Sequence, residues 1–244
     1  MTYCVGVLLD GGLVMASDSR TNAGVDNIAT FRKMTILEKS ERHVICLLSA
    51  GNLSLTQSAV SLIGEWANGK NASKNIHKAK TMFRVARIVG QALREVFQDD
   101  GESLEAHGTE FNATFILGGQ IKGERPRLFR IYSAGNFIEA TAETPFFQIG
   151  ETKYGRPVFD RLLKQSMPLA EAAKLVLISF DSTMRSNLSV GLPIDLLCYE
   201  GDSLAVDHYR QLGDADGYLA AIRRQWGEGL KRVFVDIAPP DLDG

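Results

Sequence analysis

Cysteine is scarce in this chain. The three that occur, Cys4, Cys46 and Cys198, lie in apolar, strand-like stretches with no Cys-x-x-Cys spacing between them. That argues against a disulfide framework or a thiolate metal site, and buried, reduced thiols imply a cytoplasmic setting. Cys4 stands near the start, but nothing places a base beside it. Histidine is equally sparse: His43, His77, His107 and His208 stand singly and form no ligand pattern, so no metal and no cofactor is expected. No apolar run reaches the roughly eighteen residues that span a membrane, and no charged-then-apolar leader opens the chain, so neither membrane insertion nor secretion is expected. Charge of one sign is lacking as well. A formal net charge of -2 gives no electrostatic footprint for nucleic acid or anionic membrane. The basic residues from Lys70 to Lys80 and at Arg223 and Arg224 fall at helical spacing among acids and read as solvated faces.

What is present describes a compact α+β protein. With 244 residues, 45% apolar and 23% charged, the chain suits one large domain over 1–244, of which 211–244 is a terminal helix and tail. A chain of this length buries roughly three quarters of its unfolded surface and needs no covalent staple. Strand-like runs at 2–9, 13–18, 33–37 and 43–50 precede helical periodicity over 53–69 and 75–98. Strands at 110–121, 127–133, 137–142 and 146–150 then lead into helices over 155–165 and 168–187. Strands at 194–200 and 203–210 and a helix over 214–232 complete the order. Grouped strands followed by paired helices, twice, imply two sheets face to face with helices outside. The helical stripes of 53–69 and 75–98 hold more apolar residues than one face needs, which fits burial on both sides.

The chemistry concentrates at the start. Methionine before a small residue is routinely excised, which would leave Thr2 with a hydroxyl and a free α-amine on one residue. An α-amine titrates near ~7.7–8.0 against ~10.4 for lysine, so it is the better base at neutral pH. Asp10-Gly11 between two strand-like runs signals a hairpin that would bring Asp18 back beside the start of the first strand. Lys33 opens the next strand. An Asp–Lys pair beside Thr2 would lower the pKa of its hydroxyl and amine.

With Thr2-Tyr3-Cys4-Val5-Gly6, Ala16-Ser17-Asp18-Ser19-Arg20-Thr21-Asn22-Ala23-Gly24, Phe31-Arg32-Lys33 and Leu48-Ser49-Ala50-Gly51-Asn52, the chain resembles the proteasome-type N-terminal nucleophile (Ntn) hydrolases. It looks most like the Anbu group, the bacterial proteasome-related β-subunits. Phe111–Gly119 and Arg127–Tyr132 resemble the family's central hairpin, and the likeness covers roughly 2–210. It implies a four-layer αββα sandwich and a threonine peptidase acting on peptides or unfolded protein. It also implies a homo-oligomeric ring or spiral, with an unknown unfoldase as a possible feeder.

Residue by residue, the resemblance makes Thr2 the nucleophile and proton acceptor, Lys33 the activating cation and Asp18 its anchor. Gly51 matches the glycine whose N–H stabilises the oxyanion, a donor worth ~2.7–4 kcal/mol where measured. Thr21 and Asn22 fall on the strand that pairs with the substrate backbone, while Ser49 and Leu53 line the pocket for the residue before the scissile bond. From those two residues, a roomy, neutral pocket for apolar side chains is expected. Two positions depart from the family pattern. Asn187 stands where an acid supports the threonine amine, and Gly150-Glu151-Thr152 replaces a Gly-Ser-Gly loop. Two further readings therefore stand beside the peptidase: a non-catalytic, proteasome-like scaffold, and an Ntn amidase acting on a small amide.

Overall fold

The computed structural model describes residues 1–22, 28–39 and 41–242, with the backbone alone at Thr21, Asn22, Ile28 and Lys39. The chain opens with the strands β1 (Tyr3–Leu9), β2 (Gly12–Asp18), β3 (Arg20–Asn22), β4 (Ile28–Thr30), β5 (Met34–Lys39) and β6 (His43–Gly51). Helices α1 (Leu53–Asn68) and α2 (Met82–Ala106) follow, then β7 (Ala113–Ile121), β8 (Arg127–Ile131), β9 (Phe137–Glu139) and β10 (Phe146–Gly150). Helices α3 (Arg156–Leu162) and α4 (Leu169–Ser186), strands β11 (Ile194–Glu200) and β12 (His208–Leu212), and helix α5 (Gly217–Asp236) complete it.

Among the described residues the strands form two five-stranded antiparallel sheets, β10-β1-β2-β11-β12 and β5-β6-β7-β8-β9, beside a β3-β4 ribbon. The apolar runs resolve into the two-residue alternation of strands covered on both faces. Tyr3, Val5, Val7 and Leu9 of β1 pack with α3, α4 and α5, while Cys4 and Leu8 point into the layer between the sheets. On β6, Ile45 and Leu47 pack under α1 and α2, while Val44, Cys46, Leu48 and Ala50 join the same middle layer. The result is the four-layer αββα sandwich. The sheets meet closely at Gly6, where an added Cβ would lie 2.9 Å from both Ile116 and Leu128.

Several boundaries differ from those the periodicity gives. The stripe over 75–98 is a single 3-10 turn at Ile76–Lys78 followed by α2, because the side chains of Asn75 and Thr81 cap successive N-termini. Its far end runs on through polar residues to Ala106. The last strand is His208–Leu212 rather than 203–210, since positive φ at Asp202 and Leu204 bends that segment away. α1 and α2 bury one stripe each, and Phe83 and Phe97 on α2 are exposed. α5 packs through Leu219, Ile222 and the partly buried Trp226, leaving Leu230, Val233, Phe234 and Val235 exposed.

Ile116→Ala, in the middle layer, is expected to lower stability by about 2–5 kcal/mol, because the cavity between facing sheets cannot collapse. Urea unfolding followed by circular dichroism measures it.

Candidate active site

The two sheets part at one end of the sandwich, and the opening is a cleft of about 740 Å³. Thr2, Lys33, Ser49, Gly51, Leu53, Asn112, Thr114, Arg130 and Gly150 are among the residues lining it. The β1-β2 hairpin pairs Cys4 with Ser17, so Asp18, the last residue of β2, comes back beside the start of β1. The Tyr3 N–H donates to Asp18 Oδ1 at 2.9 Å, and the Gly191 N–H reaches Oδ2 at 3.4 Å. Lys33, one residue ahead of β5 in the other sheet, donates from Nζ to Asp18 Oδ1 at 2.8 Å and to the Arg20 carbonyl at 2.6 Å. Asp18 is wholly buried and Lys33 is 5% exposed. Burial pushes the Asp18 carboxyl above its ordinary range, a push that the Lys33 charge and the two backbone donors only partly offset.

Gly51 closes β6 with φ +116°, a conformation that favours glycine, and a Cβ there would run into the Asn112 carbonyl. The direction of its N–H follows from the ladder. Ser49 N–H donates to the Lys33 carbonyl on one edge of β6, and Asn52 N–H donates to the Asn112 carbonyl on the other. Alternation turns the Gly51 N–H to the Ser49 edge, beyond the start of β5 and into the cleft. Asn52 then caps α1 by accepting from the Ser54 N–H at 3.0 Å.

Thr2 is tied through its backbone, its carbonyl accepting from the Glu151 N–H at 2.7 Å. That close approach requires Gly150, at φ +81°, because a Cβ there would strike the Thr2 carbonyl. Met1 precedes Thr2 and lines the cleft, so the nitrogen of Thr2 is here a peptide nitrogen. Asn187, the residue after α4, donates from Nδ2 to Glu151 Oε2 at 3.0 Å and lies 3.9 Å from Met1 Sδ. The carboxylate at this end of the cleft thus belongs to Glu151, the residue after β10, with Asn187 as its partner.

Thr2, Lys33, Gly51, Ser49 and Leu53 thus share one cleft, and Asp18 and Asn187 stand behind it. Thr21 and Asn22 are on β3, and their side chains lie outside the described residues. Ser49 and Leu53 also line a second hollow of about 270 Å³ with Arg32, Thr35, Gln57 and Ser61, a more polar lining than the two residues alone imply. Cys4 is fully buried and its thiol is pushed well above the ordinary range, so it is inert as a nucleophile. Arg130 escaped the sequence reading because a charge on a strand reads as solvent-facing; the signal for it is its two-residue spacing from inward-facing Leu128. Among the described residues no group of three or more His, Cys, Asp or Glu could hold a metal, and no helix is long and apolar enough to cross a membrane.

A proteasome subunit family model matches residues 2–196. The chain belongs to the proteasome subunit family. Among solved members it is similar to an Anbu Gly-1 mutant from Hyphomicrobium sp. strain MC1, at 50% identity and TM-score 0.93 over 99% of this chain and 100% of that one. Anbu from Yersinia bercovieri, described as an ancestral β-subunit, is 46% identical with TM-score 0.91 over 98% and 99%. A structure described as the helical assembly of the Anbu complex from Pseudomonas aeruginosa is 42% identical with TM-score 0.91 over 98% of each chain. Proteasome subunit beta type-7 of Dictyostelium discoideum is 26% identical over 209 residues, 84% of this chain and 70% of that protein. The fold is thus that of the proteasome-type Ntn hydrolases, with Anbu structures among its near relatives.

Asp18→Asn leaves the Lys33 ammonium buried without its counter-charge and is expected to destabilise this proteasome-family fold by about 3–5 kcal/mol. Replacing both partners, Asp18→Asn with Lys33→Met, is expected to recover much of that loss. Denaturant midpoints of the two variants check the pair.

Proposed function

We propose that this proteasome-family chain is an N-terminal threonine peptidase that cleaves peptides inside a homo-oligomer. The observation that carries the reading is the buried Lys33–Asp18 pair opening onto the same cleft as Thr2 and the Gly51 N–H. Removal of Met1 frees the Thr2 α-amine, which takes the hydroxyl proton, through a water, as Oγ1 attacks the substrate carbonyl. Lys33 favours the alkoxide-like form, and Asp18 fixes Lys33. The Gly51 N–H stabilises the oxyanion of the tetrahedral intermediate, and its collapse to the acyl-enzyme breaks the C–N bond as the α-ammonium returns the proton to the leaving nitrogen, which departs as the amine. Glu151, held by Asn187, supplies the charge that the new ammonium needs, which removes much of the ground for a purely structural subunit.

An extended substrate adds to the β3 backbone at Thr21 and Asn22, with a side chain in the Ser49–Leu53 hollow. The helical assembly of the Pseudomonas aeruginosa relative supports a spiral or ring of identical subunits here. The exposed apolar residues of α5 suit such contacts. A cytoplasmic location, and an unfoldase that delivers substrate, belong to the same reading.

Intact-mass measurement on native material is expected to find Thr2 as the first residue; Met1 retained throughout would end the proposal. Thr2→Ala is expected to lower kcat/KM on peptides by at least about 10³-fold with assembly unchanged. Because the Asp18 carboxyl is raised, it binds its proton at a higher pH than an ordinary aspartate. Activity should therefore fall on the acid side in two steps, first as the Thr2 α-amine takes up its proton near ~7.7–8.0 and again as pH drops through the raised Asp18 value. A pH profile of kcat/KM whose lower acid step lies within the ordinary aspartate range would contradict the role given to Asp18.

A further inference from the structure

Arg130 sits where a strand should carry an apolar residue. Along β8, Phe129 and Ile131 face the helices, while Leu128 joins the middle layer. The register pairs Arg130 with Ile116, itself in that layer, so alternation turns the arginine inward between the sheets. There it lines the cleft with Thr2, Asn112, Thr114 and Gly150.

Its charge has no counterpart. Among the described residues no carboxylate pairs with Arg130, and its Nε is buried without an acceptor. The guanidinium lies 5.1 Å from the centre of the Tyr132 ring, a contact that orients it without neutralising it. Arg127, on the same strand, is the internal contrast, held by Glu139 at 2.6 Å and Glu124 at 3.2 Å. The other cation of the cleft, Lys33, is already matched by Asp18, and the cleft lining contains no aspartate or glutamate. The Arg130 side chain as a whole is half-buried, but a buried Nε–H without an acceptor is unfavourable, and a carboxylate received in bidentate fashion relieves that penalty on binding. The amide of Asn112 and the hydroxyl of Thr114, on the same wall, are further donors for it.

We propose that Arg130 selects substrates bearing a carboxylate next to the amide that is cleaved, so that the cleft prefers acidic peptides. The catalytic part of this rests on the peptidase reading, whereas the binding part stands without it. The carboxylate comes from an aspartate or glutamate side chain or from the free end of the substrate chain. Peptides with glutamate or glutamine at each position flanking the scissile bond, each with a free or an amidated C-terminus, separate these sources.

Binding of each pair is measured calorimetrically on assembled Thr2→Ala protein, and kcat/KM on the processed enzyme. The acid form is expected to bind about tenfold or more tightly than its neutral partner, with the ratio falling toward one in Arg130→Gln and taking an intermediate value in Arg130→Lys. Equal binding of acid and neutral forms overturns the proposal, as does a preference that survives both substitutions; Arg130→Lys keeps the test open should Arg130→Gln fail to fold. Carboxylate-selective binding without any turnover would overturn the peptidase reading and support this one.

Discussion

The contact on which this molecule turns is the one between Asp18 and Lys33. Taking both charges out of water costs several kcal/mol apiece, and their attraction offsets that only when the remaining hydrogen-bonding positions are filled. Here they are filled by backbone. The Tyr3 and Gly191 N–H groups donate to the carboxylate, and the Arg20 carbonyl accepts from the ammonium. Tyr3 and Asp18 belong to one sheet and Lys33 leads into the other, so the pair bolts the sheets together at the end where they part. The Ser19 hydroxyl, donating to the Pro193 carbonyl at 2.7 Å, draws the approach to β11 into the same junction. An apolar pair of equal volume would serve stability as well or better. That is the physical ground for reading the pair as chemistry rather than packing.

Around that junction, backbone geometry does what side chains alone do not. Gly51 and Gly150 both take positive φ, and both allow main chain to approach main chain, at Asn112 and at Thr2. The first aims an N–H into the cleft, and the second holds the peptide after Thr2 against the end of β10. The carboxylate nearest this end of the chain sits on a different element from the one the family pattern suggests. Glu151 and Asn187 are joined by a 3.0 Å hydrogen bond, so a carboxylate follows the Gly150 that holds Thr2 while the helix end carries an amide. Asn187 in turn accepts from the Ser189 N–H at 2.9 Å, which fixes which way its amide faces.

Much of this is legible in the sequence alone. The long strands β1, β2, β6, β7 and β11 announce themselves by apolar and β-branched runs, and α1 and α4 by stripes of helical period. The Asp10-Gly11 turn was enough to bring Asp18 to Tyr3, and the family resemblance carried Lys33 and Gly51 to the same place. The losses have physical causes. The three-residue strands β3 and β4 are too short to show alternation. Ile76 continues the stripe of α2 in phase although Asn75 and Thr81 divide the segment. Leu204, Ala205 and Val206 have strand composition but follow a backbone that positive φ has already turned. Arg130 and Glu151 acquire meaning only from the sheet register and the fold around them, which no local pattern encodes.

The distribution of charge completes the argument. The chain as a whole is slightly negative, yet its cleft is not. Asp18 faces inward onto Lys33, Glu151 is closed off by Asn187, and Glu124 and Glu139 are occupied with Arg127. Asp195, buried beside Ser17, takes Tyr209 and Gln211 on one oxygen and has no donor on the other, while Arg130 is left open toward the substrate space and Arg32 borders the adjoining hollow. In a cleft between two apolar layers, water screens such charges poorly, so a single unmatched guanidinium governs the local potential more strongly than many exposed lysines would. A net charge near zero therefore says little about which substrates this protein selects; that selection lies in which internal pairs the fold completes and which it leaves for a ligand.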